Sequence, residues 1–109
     1  MSLDIQSSVA ESVARILLAG ELDSSTAPAL RDAVEQVLSG KPAQLILHVE
    51  QLSFMASAGL RIIIFAKQKL PGLKIYVVKP SSAIVDTLHK TGFYDGVYVT
   101  NIEPNPTGE

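Results

Sequence analysis

Residues 43–70, "AQLILHVEQLSFMASAGLRIIIFAKQKL", contain the transition that decides the fold. The first seven residues, "AQLILHV", form a short apolar run between Pro42 and the polar pair Glu50 and Gln51. That length and composition predict a buried central strand. From Ser57 onward the spacing changes. Leu60, Ile63, Ile64 and Leu70 align at helical intervals, Lys67 and Lys69 fall near the negative end of the helix dipole, and Pro71 with Gly72 stops the helix. At the junction, Ser57 stands between Ala56 and Ala58 with Gly59 following. A chain stripped this bare around one hydroxyl is either capping a helix or leaving that hydroxyl within reach of another molecule.

Toward the C-terminus, "LKIYVVK" alternates as a strand, with Ile75 and Val77 opposed to Tyr76 and Val78. "PSSAIVDTLHKTGF" follows as a helix capped by Ser81 or Ser82 and stopped at Gly92, and "GVYVT" is a short last strand. Toward the N-terminus, "LDIQSSV" places Leu3, Ile5, Ser7 and Val9 on one face, and "ARILLAGEL" is a denser strand. Only Ala10, Glu11, Ser12 and Val13 separate the two, so they pair as an antiparallel hairpin. "DSSTAPALRDAVEQVLSG" is a helix with Ser24, Ser25 and Thr26 as alternative caps, Pro28 in its first turn, and Leu30, Val34, Val37 and Leu38 as its apolar stripe. The order β-β-α-β-α-β-α-β predicts one α/β domain. Its sheet is mixed but mostly parallel, of four to five strands, fed by the hairpin and packed with three or more helices. The domain is expected over residues 1–102. Residues 103–109, rich in proline and poor in apolar content, are expected to be a flexible tail.

Composition narrows the function. Of 109 residues, 47% are hydrophobic and 18% charged, which suits one globular core. The net charge of -2 gives no basic face for nucleic acid. There is no cysteine, and hence no thiol nucleophile or zinc knuckle. No apolar run reaches membrane-spanning length and "MSLDIQ" is not a secretory leader, so a soluble cytoplasmic protein without membrane insertion is expected.

Little in the chain reads as catalytic. His48 and His89 are far apart, and neither has a second ligand at metal-binding spacing. Neither "GxGxxG" nor "GxxxxGK" occurs. Ser57, His48 and Asp23 can be written as a triad, but "FMASAGL" is not the "GxSxG" nucleophile elbow. Two polar features remain. "GELDSSTAPAL" carries Asp23 and three hydroxyls at a helix start, and "ASAGLR" carries Ser57. On residue chemistry alone, Ser57 reads as the N-cap of the second long helix. Gly59 is the residue that reading leaves over. Inside a helix it costs about 0.5–1 kcal/mol against alanine, and the expense is sensible where a partner backbone or a phosphate must come close. Because a helix N-terminus favours anions, a phosphate on Ser57 would leave the fold intact while adding charge and bulk toward a docked partner.

Three segments together resemble a known family. "GELDSSTAPALRDAVEQVL" is similar to the "GELD…TA..L" segment of STAS domains, the family of bacterial anti-sigma factor antagonists. "LSFMASAGLRIII" resembles their signature, in which a strand runs into Asp-Ser-Ser/Thr-Gly-Leu and an apolar helix. "LHKTGFYDGVYV" resembles their closing "TGL" segment. The resemblance runs from about Leu3 to Thr100 and implies a single STAS-like domain. It implies no enzyme activity and no cofactor of its own. The partner would be a serine-kinase anti-sigma factor that brings its own ATP, phosphorylates the antagonist's signature serine and so is released; a serine phosphatase resets the cycle. By position the signature serine is Ser57. The partner surface would comprise Asp23, Ser24, Ser25 and Thr26 with Met55, Ala56, Ser57, Ala58, Gly59, Leu60 and Arg61. The family's aspartate and second hydroxyl are Ala56 and Ala58 here. The same fold also serves as a scaffold or adaptor, in stressosome-like or lipid-transport assemblies, without a phosphorylation cycle. A monomer or weak homodimer is expected.

Overall fold

The computed structural model describes residues 2–102. Its elements are β1 (Leu3–Ala10), β2 (Val13–Leu22), α1 (Ala27–Leu38), β3 (Gln44–Met55), α2 (Ser57–Lys69), β4 (Lys74–Val78), α3 (Ser82–Lys90), a single 3-10 turn (Tyr94–Gly96) and β5 (Tyr98–Thr100). The sheet runs in chain order, β1-β2-β3-β4-β5. β1 is antiparallel to β2, and every later pair is parallel. This is the mixed, mostly parallel α/β sheet with an N-terminal hairpin and three helices that the periodicities imply. The loose tail expected at 103–109 lies outside the described residues.

All three helices lie on one face of the sheet. Ile16, Leu47 and Val77 share one row across β2, β3 and β4, and they join Leu30 and Val34 of α1, Leu60 and Ile63 of α2, and Ile84 and Leu88 of α3 in one buried cluster. On the other face Val13, Ile46 and Val78 form a small second cluster beside Tyr76. Tyr76 stacks there on Tyr98 at 5.0 Å between ring centroids. Leu30, Val34, Val37 and Leu38 are all buried, as their stripe requires. In α2 the buried side also takes in Ile62 and Ala66, while Ile64 is only half-buried.

β3 is six residues longer than its apolar run suggests, continuing from Val49 to Met55. The extension is hidden by two bulges. Against β2, Leu17 pairs with His48 and Ala19 with Gln51, then Gly20 pairs with Leu52 and Glu21 with Phe54. Each extra residue lets two neighbours face outward in succession: Glu50 with Gln51, then Ser53 with Phe54. The positions buried on the helix side therefore run Leu45, Leu47, Val49, Leu52, Met55. Period two becomes period three, which no simple alternation detects. The hairpin turn is also tighter than expected. Ala10 still pairs with Val13, and Glu11 and Ser12 alone make the turn, both left-handed at φ 54° and 65°. That geometry matches the twist of the flanking strands.

Candidate functional site

The ends of β2 and β3 carry the candidate residues to one rim. The two strands are parallel and adjacent, with Leu22 paired to Met55, and the Ala56 N–H donates to the Leu22 carbonyl at 2.8 Å. The starts of α1 and α2 therefore stand side by side at the carboxyl edge of the sheet, where open α/β sheets present their binding crevices.

Asp23 organises the first half of this rim. Its carboxylate accepts from the Ser25 N–H at 2.9 Å, the Ser25 hydroxyl at 2.6 Å and the Thr26 N–H at 3.2 Å. These bonds, the Ser25 hydroxyl foremost, hold its carboxyl below the usual carboxylate range. Thr26 is the cap residue of α1, but its hydroxyl does not cap the helix. It donates back to the Glu21 carbonyl at 2.8 Å and accepts from the Asp23 N–H at 3.0 Å. The polarity of "DSST" ahead of the helix thus has an internal cause: Asp23 and Thr26 lock the loop on itself, while Ser24 and Ser25 are exposed.

Ser57 occupies the second half, and its position corrects the capping reading. The N-cap of α2 is Ala56, extended at φ -85° and ψ 172°, and no side chain caps the helix. Ser57 is the first helical residue and is exposed, and its hydroxyl has no hydrogen-bond partner among the described residues. It is a free hydroxyl at the positive end of a thirteen-residue helix.

Gly59 has a different cause from the one its sequence context suggests. It is buried, and a Cβ there would lie 2.5 Å from Leu22 Cδ2, 2.9 Å from Leu22 Cγ and 3.0 Å from Met55 Cγ. The glycine lets α2 close on the core beneath the rim rather than clearing space for an incoming group. Met55 and Leu60 are buried as well. Of the proposed contact set, these three hold the surface from below. Asp23, Ser24, Ser25, Thr26, Ala56, Ser57, Ala58 and Arg61 are wholly or partly exposed.

One rim residue has no signal in simple alternation. Phe54 pairs with Glu21 at the end of β3 and is 47% exposed, turned out by the second bulge. The Ser53 hydroxyl donates to the Gly20 carbonyl at 2.9 Å and satisfies the bulged backbone. The quoted "SF" between Leu52 and Met55 carries this information only once the bulge is known.

The histidines stay away from the rim hydroxyl. His48 lies on β3 in register with Leu17 and Val78, on the face opposite the helices, so no Ser57 triad forms through it. His89 stacks on Tyr94 at 4.0 Å. Among the described residues no group of three or more acidic or histidine side chains is placed to hold a metal ion. None of the described helices is long and apolar enough to cross a membrane.

Residues 4–106 match the STAS domain family. The chain belongs to that family. This STAS domain is 31% identical over 81 residues to the anti-sigma-F factor antagonist RsfB of Mycobacterium tuberculosis. That alignment takes in 73% of this chain and 66% of the relative, just under two thirds of its length. The fold matches the crystal structure of an anti-sigma factor antagonist from Mycobacterium paratuberculosis with a TM-score of 0.79, at 24% identity over 93% of this chain and 87% of that one. It also matches the anti-sigma factor antagonist SpoIIAA. The TM-score is 0.72 for the unphosphorylated form, at 23% identity over 94% of this chain and 90% of that one. It is 0.68 for the phosphorylated form from Bacillus, at 21% identity over 94% and 93%. The STAS fold read from the "GELD", "ASAGL" and "TGF" segments is therefore the fold of the molecule.

Proposed function

We propose that this STAS domain is an anti-sigma factor antagonist, a cytoplasmic binding protein rather than an enzyme. It docks on a serine-kinase anti-sigma factor through the rim formed by the Asp23–Thr26 loop and the start of α2, and so frees a sigma factor. Phosphorylation of Ser57 by that kinase ends the interaction, and a serine phosphatase restores it. The observation that carries this reading is the exposed, unpartnered Ser57 hydroxyl at the first position of α2, beside a loop made rigid by Asp23. The relatives support it, being named antagonists of anti-sigma factors, and one of them has a phosphorylated form.

The chemistry is that of a local charge change on a fixed scaffold. A phosphate adds about -1.5 to -2 charge at neutral pH. The helix dipole favours that charge by about 0.3–1 kcal/mol, so the domain stays folded. A partner seated over the rim meets new bulk and negative charge where it had met Ala56, Ser57 and Ala58. The missing family aspartate at Ala56 favours a second reading, a docking surface used by a scaffold without a phosphorylation cycle.

A two-bait capture from the native lysate separates the two. Wild type is expected to hold a serine-kinase anti-sigma factor that Ser57→Glu does not hold. Retention of the same partner by both baits would overturn the switch and favour the constitutive scaffold.

A further inference from the structure

β1 is an edge strand with few of the usual protections. It runs eight residues, its pairing with β2 is unbroken from Leu3 to Ala10, and it contains no proline, no lysine and no bulge. Natural edges are normally blunted by such devices, because a bare edge recruits another strand. The phase of the ladder identifies which groups are free. The Glu21 N–H donates to the Ser2 carbonyl at 3.0 Å, and Ala10 pairs with Val13 across a two-residue turn. In an antiparallel ladder, bonding toward one neighbour alternates along the strand. The even-numbered residues of β1 therefore bond to β2, and the peptide groups of Leu3, Ile5, Ser7 and Val9 point away from the molecule.

We propose that this edge binds the β1 edge of a second copy of this chain, antiparallel, making one ten-stranded sheet across a two-fold axis at Ser7. The strand is self-complementary about that residue. Ser7 faces Ser7 of the second copy, Ile5 faces Val9 of the second copy on the helix-side face, and Gln6 faces Ser8 of the second copy. Asp4, the strand's one charged residue, faces Ala10 of the second copy and never another carboxylate. The pairing accounts for Val9, which is apolar and 48% exposed among the described residues. Directly opposed apolar residues are the unit from which sheets gain stability. The dimer leaves the Ser57 rim free, since β1 and the carboxyl end of β3 are separated by β2.

Light scattering over a concentration series tests this on the purified full chain. The mass is expected to rise from 11.7 kDa toward twice that value. Ser7→Pro removes an N–H that β2 does not use, and proline is tolerated on edge strands. It is expected to hold the mass at that of the monomer with an unchanged circular dichroism spectrum. Val9→Lys, which leaves the backbone intact, is expected to do the same, and it decides the matter if the proline variant fails to fold. A wild-type mass that stays monomeric up to the solubility limit overturns the proposal. So does a dimer that persists in folded Val9→Lys and Ser7→Pro.

Discussion

Two small residues at the start of α2 carry opposite stability consequences. Gly59 is packed by Leu22 and Met55 at distances no Cβ can occupy without movement. Gly59→Ala gains about 1 kcal/mol of helix propensity. It loses more to overpacking, which costs about 1–3 kcal/mol in a close-packed core. The variant is expected to unfold at lower urea than wild type, whereas Gly72→Ala, with nothing within 4 Å of its Cβ, is expected to be near neutral. An unchanged midpoint for Gly59→Ala would mean that Leu22 moves aside freely. Ala56, by contrast, sits at an N-cap with extended backbone and no side-chain acceptor. Ala56→Asp supplies that acceptor to a free N–H of the first turn and is expected to stabilise by about 1 kcal/mol. At this position an aspartate, as in the family pattern, would act as the cap that this chain lacks. A urea midpoint that does not rise would show that the α2 N–H groups are not reachable from position 56.

The Asp23–Thr26 loop is the element whose stability depends on a titrating group. The Asp23 carboxyl is held below its ordinary 3.8 by bonds from Ser25 and Thr26. A folded-state pKa below the unfolded one contributes stability that is present above the unfolded value and lost as pH falls through the folded one. Asp23→Asn keeps an acceptor but removes the titration. Its deficit in urea midpoint relative to wild type is expected at neutral pH and is expected to close below 3.8; a constant deficit would assign the effect to shape alone. At this same scale the sequence shows its limits. The apolar stripe of α1, the opposed faces of β4 and the stop at Gly92 are legible, because each depends on residues a few positions apart. The last six residues of β3 are not, since the bulges opposite Ala19 and Glu21 follow from pairing with β2, a long-range event. The Glu11–Ser12 turn is likewise silent, because neither residue is the asparagine or glycine that usually announces left-handed backbone. The rim was legible as a set of residues through "GELD" and "ASAGL". Which of them face outward was not, since burial of Met55, Gly59 and Leu60 is decided by how α2 lies on Leu22.

Across the whole molecule, a one-sided helix layer gathers the helix starts at one edge of the sheet. With all three helices on one face, the parallel strands β2, β3 and β4 each release their chain at the same rim, and the helices that follow begin there. Binding surface at that rim can grow in two directions, onto the helix starts or around to the open face. The bulge at Ser53 turns Phe54 toward the second direction, and bulges commonly re-aim side chains beside functional sites. An aromatic ring that is 47% exposed offers the partner anchor that Ala56, Ser57 and Ala58 are too small to provide. Aromatic anchors of this kind dominate binding energy, while the small contacts around them exclude water. Phe54→Ala is therefore expected to change unfolding free energy by about 1 kcal/mol or less, because half the ring is already in water. It is expected to weaken the proposed complex with an anti-sigma factor about tenfold or more, a loss of at least about 1.4 kcal/mol. Titration calorimetry on the complex, run beside urea unfolding of the free domain, separates the two quantities. Equal affinity in both proteins would confine the docking surface to the helix starts and leave Phe54 a bystander; a weaker complex with an unchanged fold would extend that surface around the rim onto the open face.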